Sequence, residues 1–233
     1  MPLPRPLQLK LVLGVAAPLV HVLLYTAANQ YPLFKATVLP LSRLDLAVPL
    51  IPETVWIYLS NYALVLFAFV LCRDTRRFAV AGFSVIVASV LVQWLWPVAY
   101  PRELYPIDPA GGLSAAALVM LRSIDAPVSC LPSLHVGLAF VSALALGRSP
   151  PVSHPGAVTR LFFVWVGAVA LSTLTVKQHY VLDVFGGLLL AAAVHALTAP
   201  GAFERAAALT RRNRISVRIP GRQGGRSGSD VPS

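Results

Sequence analysis

Charged side chains are scarce in this sequence: Asp, Glu, Lys and Arg make up 12% of 233 residues, against 57% hydrophobic. That balance excludes a soluble globular domain, in which about a quarter of residues are charged. Acids are the scarcer sign, 9 against 19 Lys and Arg, leaving a net charge of +10. The excess does not imply a nucleic-acid partner, because much of it follows the last apolar run, as Arg205, Arg211, Arg212, Arg214, Arg218, Arg222 and Arg226. Arginines flanking apolar spans are an orientation signal and a contact for anionic lipid head groups. Cysteine is nearly missing too. Cys72 and Cys130 fall at opposite ends of apolar runs that point different ways, so no disulfide is expected and the redox compartment stays undetermined.

Long apolar runs are abundant. A membrane helix needs roughly 20 apolar residues to cross ~30 Å of hydrocarbon at ~1.5 Å per residue. Six runs are read as spans: Leu7 to Ala28, Thr54 to Cys72, Phe78 to Val98, Leu131 to Gly147, Val158 to Val176 and Gln178 to Leu197. Backbone without internal hydrogen bonds is untenable in lipid, so the expected fold is all-α, a polytopic membrane bundle of about six helices. The fourth run is the shortest. The first is too long for a signal peptide, and Ala27-Ala28-Asn29 offers no convincing cleavage site. Residues 1–200 read as the membrane domain and 201–233 as a basic, disordered tail, rich in Gly and Ser from Gly221 onward.

The positive-inside rule places both termini in the cytoplasm. Arg73, Arg76, Arg77, Arg148, Arg160 and the tail then lie inside, while Asp45, Glu53, Glu103, Asp108 and Asp125 lie outside. The expected location is the plasma (inner) membrane. Prolines break the stretch from Asp45 to Pro52, which belongs at the outer interface, and Gly111 to Leu121 suits a short helix in the long outer loop. Trp56, Trp94, Trp96 and Tyr100 suit an interfacial aromatic belt. His21, His154 and His195 read as polar groups satisfied at an interface, and Gly186 with Gly187 as a close helix contact.

Two clusters place polar groups where a membrane helix avoids them, which calls for a reason. One is Cys130-Leu131-Pro132-Ser133-Leu134-His135. The other runs from Ser172 through Lys177, His179 and Tyr180 to Asp183. His179 and Asp183 stand four apart, one turn on a shared helix face, so the carboxylate can hold one imidazole nitrogen and leave the other basic. Pro132 and Ser133 read as helix-start residues, leaving backbone N–H groups to attract an anion beside His135. Lys177 adds positive charge. Both helices start on one side, so these groups converge on a phosphate site.

Pro132-Ser133-Leu134-His135 resembles the Pro-Ser-Gly-His motif of the type 2 phosphatidic acid phosphatase superfamily. Ser172, His179 and Asp183 match the spacing of its Ser-Arg-x5-His-x3-Asp motif. The wording Pro-Ser-Leu-His and Lys-Gln-His-Tyr, with Asp45 to Tyr62, is similar to the branch that contains the fungal inositol phosphorylceramide synthases and their bacterial relatives. The family's Lys-x6-Arg-Pro motif is not intact. Arg102 stands for its arginine, but Leu95 occupies the lysine position and Glu103 the proline position; Thr173 follows Ser172 where the family has arginine.

The resemblance implies six spans, an extracytoplasmic site and no metal or other cofactor; no metal-ligand cluster is visible in the sequence. It implies that His179, supported by Asp183, attacks phosphorus to form a phosphohistidine, and that His135 protonates the leaving oxygen. Ser133, Lys177 and Arg102 are the expected phosphate-binding residues, with a lipid phosphate or diphosphate as substrate and membrane lipids as partners. Arg102 could instead pair with Glu103. Water as acceptor makes a phosphatase, and an alcohol such as inositol makes a phosphotransferase producing a phosphodiester lipid. A transporter would spread polar groups along several spans at midplane. A catalytically inactive lipid-binding relative would have no need of both histidines and Asp183. The oligomeric state is not encoded in any of these features.

Overall fold

The computed structural model describes residues 5–148 and 155–199. The basic tail and His154 lie outside the described residues. Among them eight α-helices follow in order: α1 (Arg5–Gln30), α2 (Arg43–Ala47), α3 (Val55–Leu71), α4 (Thr75–Leu95), α5 (Leu113–Ile124), α6 (Leu134–Gly147), α7 (Pro155–Thr175) and α8 (Val181–Leu197). Two very short strands, β1 (Thr37–Val38) and β2 (Val98–Ala99), pair in parallel. The six principal helices correspond to the six expected runs, and α5 to the helix expected in the long loop.

Large apolar side chains such as Val12, Leu23, Leu66, Val164 and Leu189 are exposed on the outside of the bundle. In water such a surface would drive association; in a bilayer it is the solvated face. Four helices, α1, α3, α4 and α7, are long and apolar enough to cross a membrane. At 14 and 17 residues, α6 and α8 reach only about 21 and 26 Å, short of the ~30 Å of hydrocarbon. Their shortness has a packing reason. The helix α6 is the centre of the bundle, touching α3, α4, α7 and α8, and non-helical backbone at membrane depth is tolerated where protein encloses it.

Helix ends follow local chemistry. The Asp74 carboxylate caps α4 by accepting from Arg77 N at 3.0 Å, and Ser133 caps α6 through Val136 N. Ser42 and Asp45 form a capping box on α2, which turns part of the proline-bounded stretch into a helix. Cys72 and Cys130 are both free.

Candidate active site

The segments 31–54, 96–133 and 176–180 gather at one end of the bundle. Ile51 N donates to Thr175 O at 2.9 Å and Tyr100 N to Pro127 O at 3.0 Å. The Asn29 carboxamide exchanges hydrogen bonds with the Ala126 backbone at 2.7 and 2.9 Å. The two polar clusters meet through backbone: Ser133 N donates to Asp183 O at 3.0 Å. The contact is close because Gly187 has no side chain. A Cβ there would stand 2.4 Å from Ser133 O.

The pairing of His179 with Asp183 forms by a different local geometry from the expected one. The helix α8 begins at Val181, so His179 lies in the turn before it and Asp183 in its first turn. The side chains still meet, His179 Nδ1 to Asp183 Oδ2 at 3.3 Å, and Nδ1 also lies 3.0 Å from Cys130 O. A carbonyl and a carboxylate only accept, so Nδ1 carries the proton and the Nε2 lone pair is free. Asp183 is fully buried, and its Oδ2 also accepts Tyr180 N at 2.8 Å. That second bond fixes the carboxylate that fixes the ring.

His135 sits in the first turn of α6, its ring centroid 6.2 Å from that of His179. Tyr58 of α3 stacks against it at 4.1 Å, with the phenol oxygen 3.3 Å from Nδ1. Nδ1 is thus the engaged nitrogen in this ring as well. Ser133 is fully buried as the α6 cap.

The expected cations sit differently. Lys177, at φ +57° and 1% exposed, sends its ammonium to the carbonyls of Asp45 and Val48 and over the Tyr105 ring at 4.5 Å. Its amine therefore anchors α2 to the turn that carries His179. Burial pulls its pKa below the usual lysine value, against the opposing pull of Asp45. Arg102 pairs with Asp125, Nη2 to Oδ2 at 2.9 Å, and not with Glu103. Tyr25 of α1 donates to the other Asp125 oxygen. Tyr100, expected in the interfacial belt, is instead buried against Tyr180, centroids 4.7 Å apart.

Two residues join the site that their sequence context did not single out. Arg122 on α5 donates to Tyr105 O at 2.8 Å and to Val176 O at 3.1 Å, three residues before His179. Burial and the neighbouring Arg102 push its guanidinium down to about 10. The Nε atoms of both arginines are buried with no hydrogen-bond partner among the described residues. The second is Asp45, whose Oδ1 accepts Val181 N at 2.7 Å while Oδ2 accepts Ser42 N and Oγ at 2.8 and 2.5 Å. It caps the start of α8 from α2. Only an isolated acid before a proline-rich stretch hinted at it.

Cys130, His179 and Asp183 bring one potential metal-ligating atom each within 4.8 Å of one another. The Cys130 thiol shares its one proton between Pro127 O and Gln178 O, at 3.3 and 3.5 Å, and burial raises its pKa well above the ordinary value. All three residues also take part in hydrogen bonds at this place.

The sequence profile of the PAP2 superfamily matches residues 47–197. This chain belongs to the PAP2 superfamily. The matched region contains both histidines, Asp183, Arg102 and Arg122, whereas α1 and Asp45 fall outside it. No curated protein and no solved structure matches the chain. Membership supports phosphatase or phosphotransferase chemistry in general, and the membrane setting of this PAP2 protein suggests lipid phosphates as substrates.

Proposed function

We propose that this PAP2 protein transfers the phosphoryl group of a lipid phosphate through a phosphohistidine formed on His179. The observation that carries the proposal is the locked tautomer of that ring. With Nδ1 held between Cys130 O and Asp183, the Nε2 lone pair is the nucleophile, on the second nitrogen of a ring whose edge meets His135. Nε2 attacks phosphorus as the P–O bond to the alcohol breaks, and His135 Nε2 gives its proton to the departing oxygen. Water then attacks the phosphohistidine with His135 as base, releasing phosphate. In this reading the N–H groups still open at the start of α6, which Ser133 caps, bind the phosphoryl oxygens. With an alcohol such as inositol as acceptor the same intermediate gives that alcohol's phosphate; a phosphodiester lipid forms where His179 attacks the inner phosphorus of a lipid diphosphate, phosphate leaves, and the lipid ester stays on the phosphorus passed to the alcohol, and the wording around His135 and His179 favours that branch. Purified protein incubated with lipid phosphates and diphosphates, with and without inositol, tests this by phosphate release against new phosphodiester.

Positive charge comes from Arg102 and Arg122. With the lysine of the family motif replaced by Leu95 and its later arginine by Thr173, Arg122 supplies the missing cation from α5, while Lys177 holds the turn. Arg122→Gln is expected to lower kcat/KM about 10- to 100-fold, the loss of one charge-assisted hydrogen bond to phosphate. An unchanged value for a folded variant would remove Arg122 from the site.

The arginine distribution supports cytoplasmic termini and an outward-facing site in the plasma (inner) membrane. Single cysteines introduced in the 99–130 loop are expected to react with an impermeant reagent in intact cells, and those after Arg205 only after lysis. Reversed labelling would place the site inside.

A further inference from the structure

A cavity of about 260 Å³ lies in the bundle against His135. Pro18 and His21 of α1, Asn61 and Val65 of α3, Gly82 of α4 and His135 of α6 line it, and the lining surface is mostly apolar. His179 is not among its lining residues. Along α3 the cavity runs from Asn61, one turn beyond Tyr58, inward to Phe69. It therefore extends from His135 through the middle of the bundle toward the end where α3 stops and α4 starts. Val22, Leu66 and Phe83, which line it, are exposed on the lipid-facing surface, so it opens sideways between helices. One wall is α1, which lies outside the residues matched to the family.

We propose that this cavity binds the leaving group, a single hydrocarbon chain, and so selects phosphate monoesters of long-chain alcohols. The inference rests on the phosphohistidine reading. A general acid marks the side of phosphorus from which the alcohol departs, because its proton goes to the bridging oxygen. The carbon next to that oxygen therefore lies beyond His135, and there the structure has an apolar cavity. In a diphosphate the group on that side is a second phosphate, whose charge has no cation among the residues lining the cavity, and burying it unpaired is prohibitive. Asn61 strengthens the assignment. It is 2% exposed, and its Oδ1 has no partner among the described residues. A polar group left so in a membrane interior calls for an external donor, and the hydroxyl of the released alcohol is one. The balance is closed: the His179 Nε2–P bond forms, the P–O bond breaks, and the His135 proton ends on the alcohol.

Gly82 gives a clean test, since a Cβ there meets nothing within 4 Å and a larger side chain grows into the cavity. Wild type, Gly82→Ala and Gly82→Leu are compared on butyl phosphate, hexadecyl phosphate and hexadecyl diphosphate. Thermal stabilisation by uncleavable hexadecylphosphonate is measured alongside. Wild type is expected to prefer hexadecyl phosphate over both others. Gly82→Leu should raise the KM for hexadecyl phosphate about tenfold, which displacing roughly two methylenes suffices to do, and thermal unfolding without ligand is the control that the variant is folded. The phosphonate shift should fall in the order wild type, Gly82→Ala, Gly82→Leu. An equal phosphonate shift in all three proteins, or faster cleavage of the diphosphate, overturns the chain assignment. A graded phosphonate shift with no turnover of any substrate sinks the catalytic reading and keeps the chain site.

Discussion

Replacing His179 by alanine is expected to abolish turnover of every substrate, by about 10⁴-fold or more, as deletion of a covalent nucleophile does. His135→Ala should behave differently. Loss of a general acid lowers rates by about 10²–10⁴ when the leaving alcohol is basic, as in a lipid phosphate, and much less when it is a phenol that departs unprotonated. An aryl phosphate should therefore partly rescue His135→Ala and leave His179→Ala inactive. The covalent intermediate separates them again. Phosphohistidine is acid-labile, so labelled enzyme should lose label in acid and retain it in alkali, for wild type and His135→Ala alike. Equal rescue of both variants, or alkali-stable label on His179→Ala, would reverse the roles or name another nucleophile. The geometry predicts the asymmetry: His179 Nδ1 is held by two acceptors, whereas His135 Nδ1 meets a hydroxyl that can donate or accept.

Groups close together in sequence are legible from the residues alone, and groups brought together by loops are not. The spacing from His179 to Asp183 and the Pro-Ser-Leu-His run locate both histidines, because short-range spacing survives a change from helix to turn. That change itself is not legible: the sixth span is drawn from Gln178, whereas α8 starts at Val181, where the Tyr180 N–H and Val181 N–H are capped by Asp183 and by the distant Asp45. The role of Lys177 cannot be read locally either. A lysine beside two polar clusters suggests a phosphate ligand, yet its amine lies on carbonyls some 130 residues away in sequence. Arg122 reads locally as the basic last turn of an outer helix, and only the fold of the 96–133 loop sets it against Val176. The membrane helices themselves are the most legible feature, since lipid imposes one backbone solution on any long apolar run.

Gly187→Ala should be the most damaging single-methyl change in the bundle, because of what that methyl would meet. The added Cβ would lie 2.4 Å from Ser133 O and 3.3 Å from Ser133 C, both backbone atoms, so no rotamer can relieve it. The start of α6 must move away from α8. Overpacking of this kind costs about 1–3 kcal/mol, which at roughly 2–4 °C per kcal/mol lowers the melting temperature by several degrees. The catalytic loss should be larger than the stability loss suggests. Ser133 caps the helix that carries His135 and donates its N–H to Asp183 O, so the displacement separates the proposed acid from the proposed nucleophile, and a shift of about 1 Å can lower the rate by about 10²-fold. Two controls bracket the effect. At Gly186 the nearest atom is the flexible tip of Leu131, at 3.0 Å, and at Gly167 nothing lies within 4 Å. Gly186→Ala should be mild, and Gly167→Ala neutral or slightly stabilising, since alanine favours helix by up to about 1 kcal/mol over glycine. Thermal unfolding and initial rates in one detergent read all three. Indistinguishable behaviour of Gly187→Ala and Gly167→Ala would mean that α6 and α8 do not meet backbone to backbone at the site.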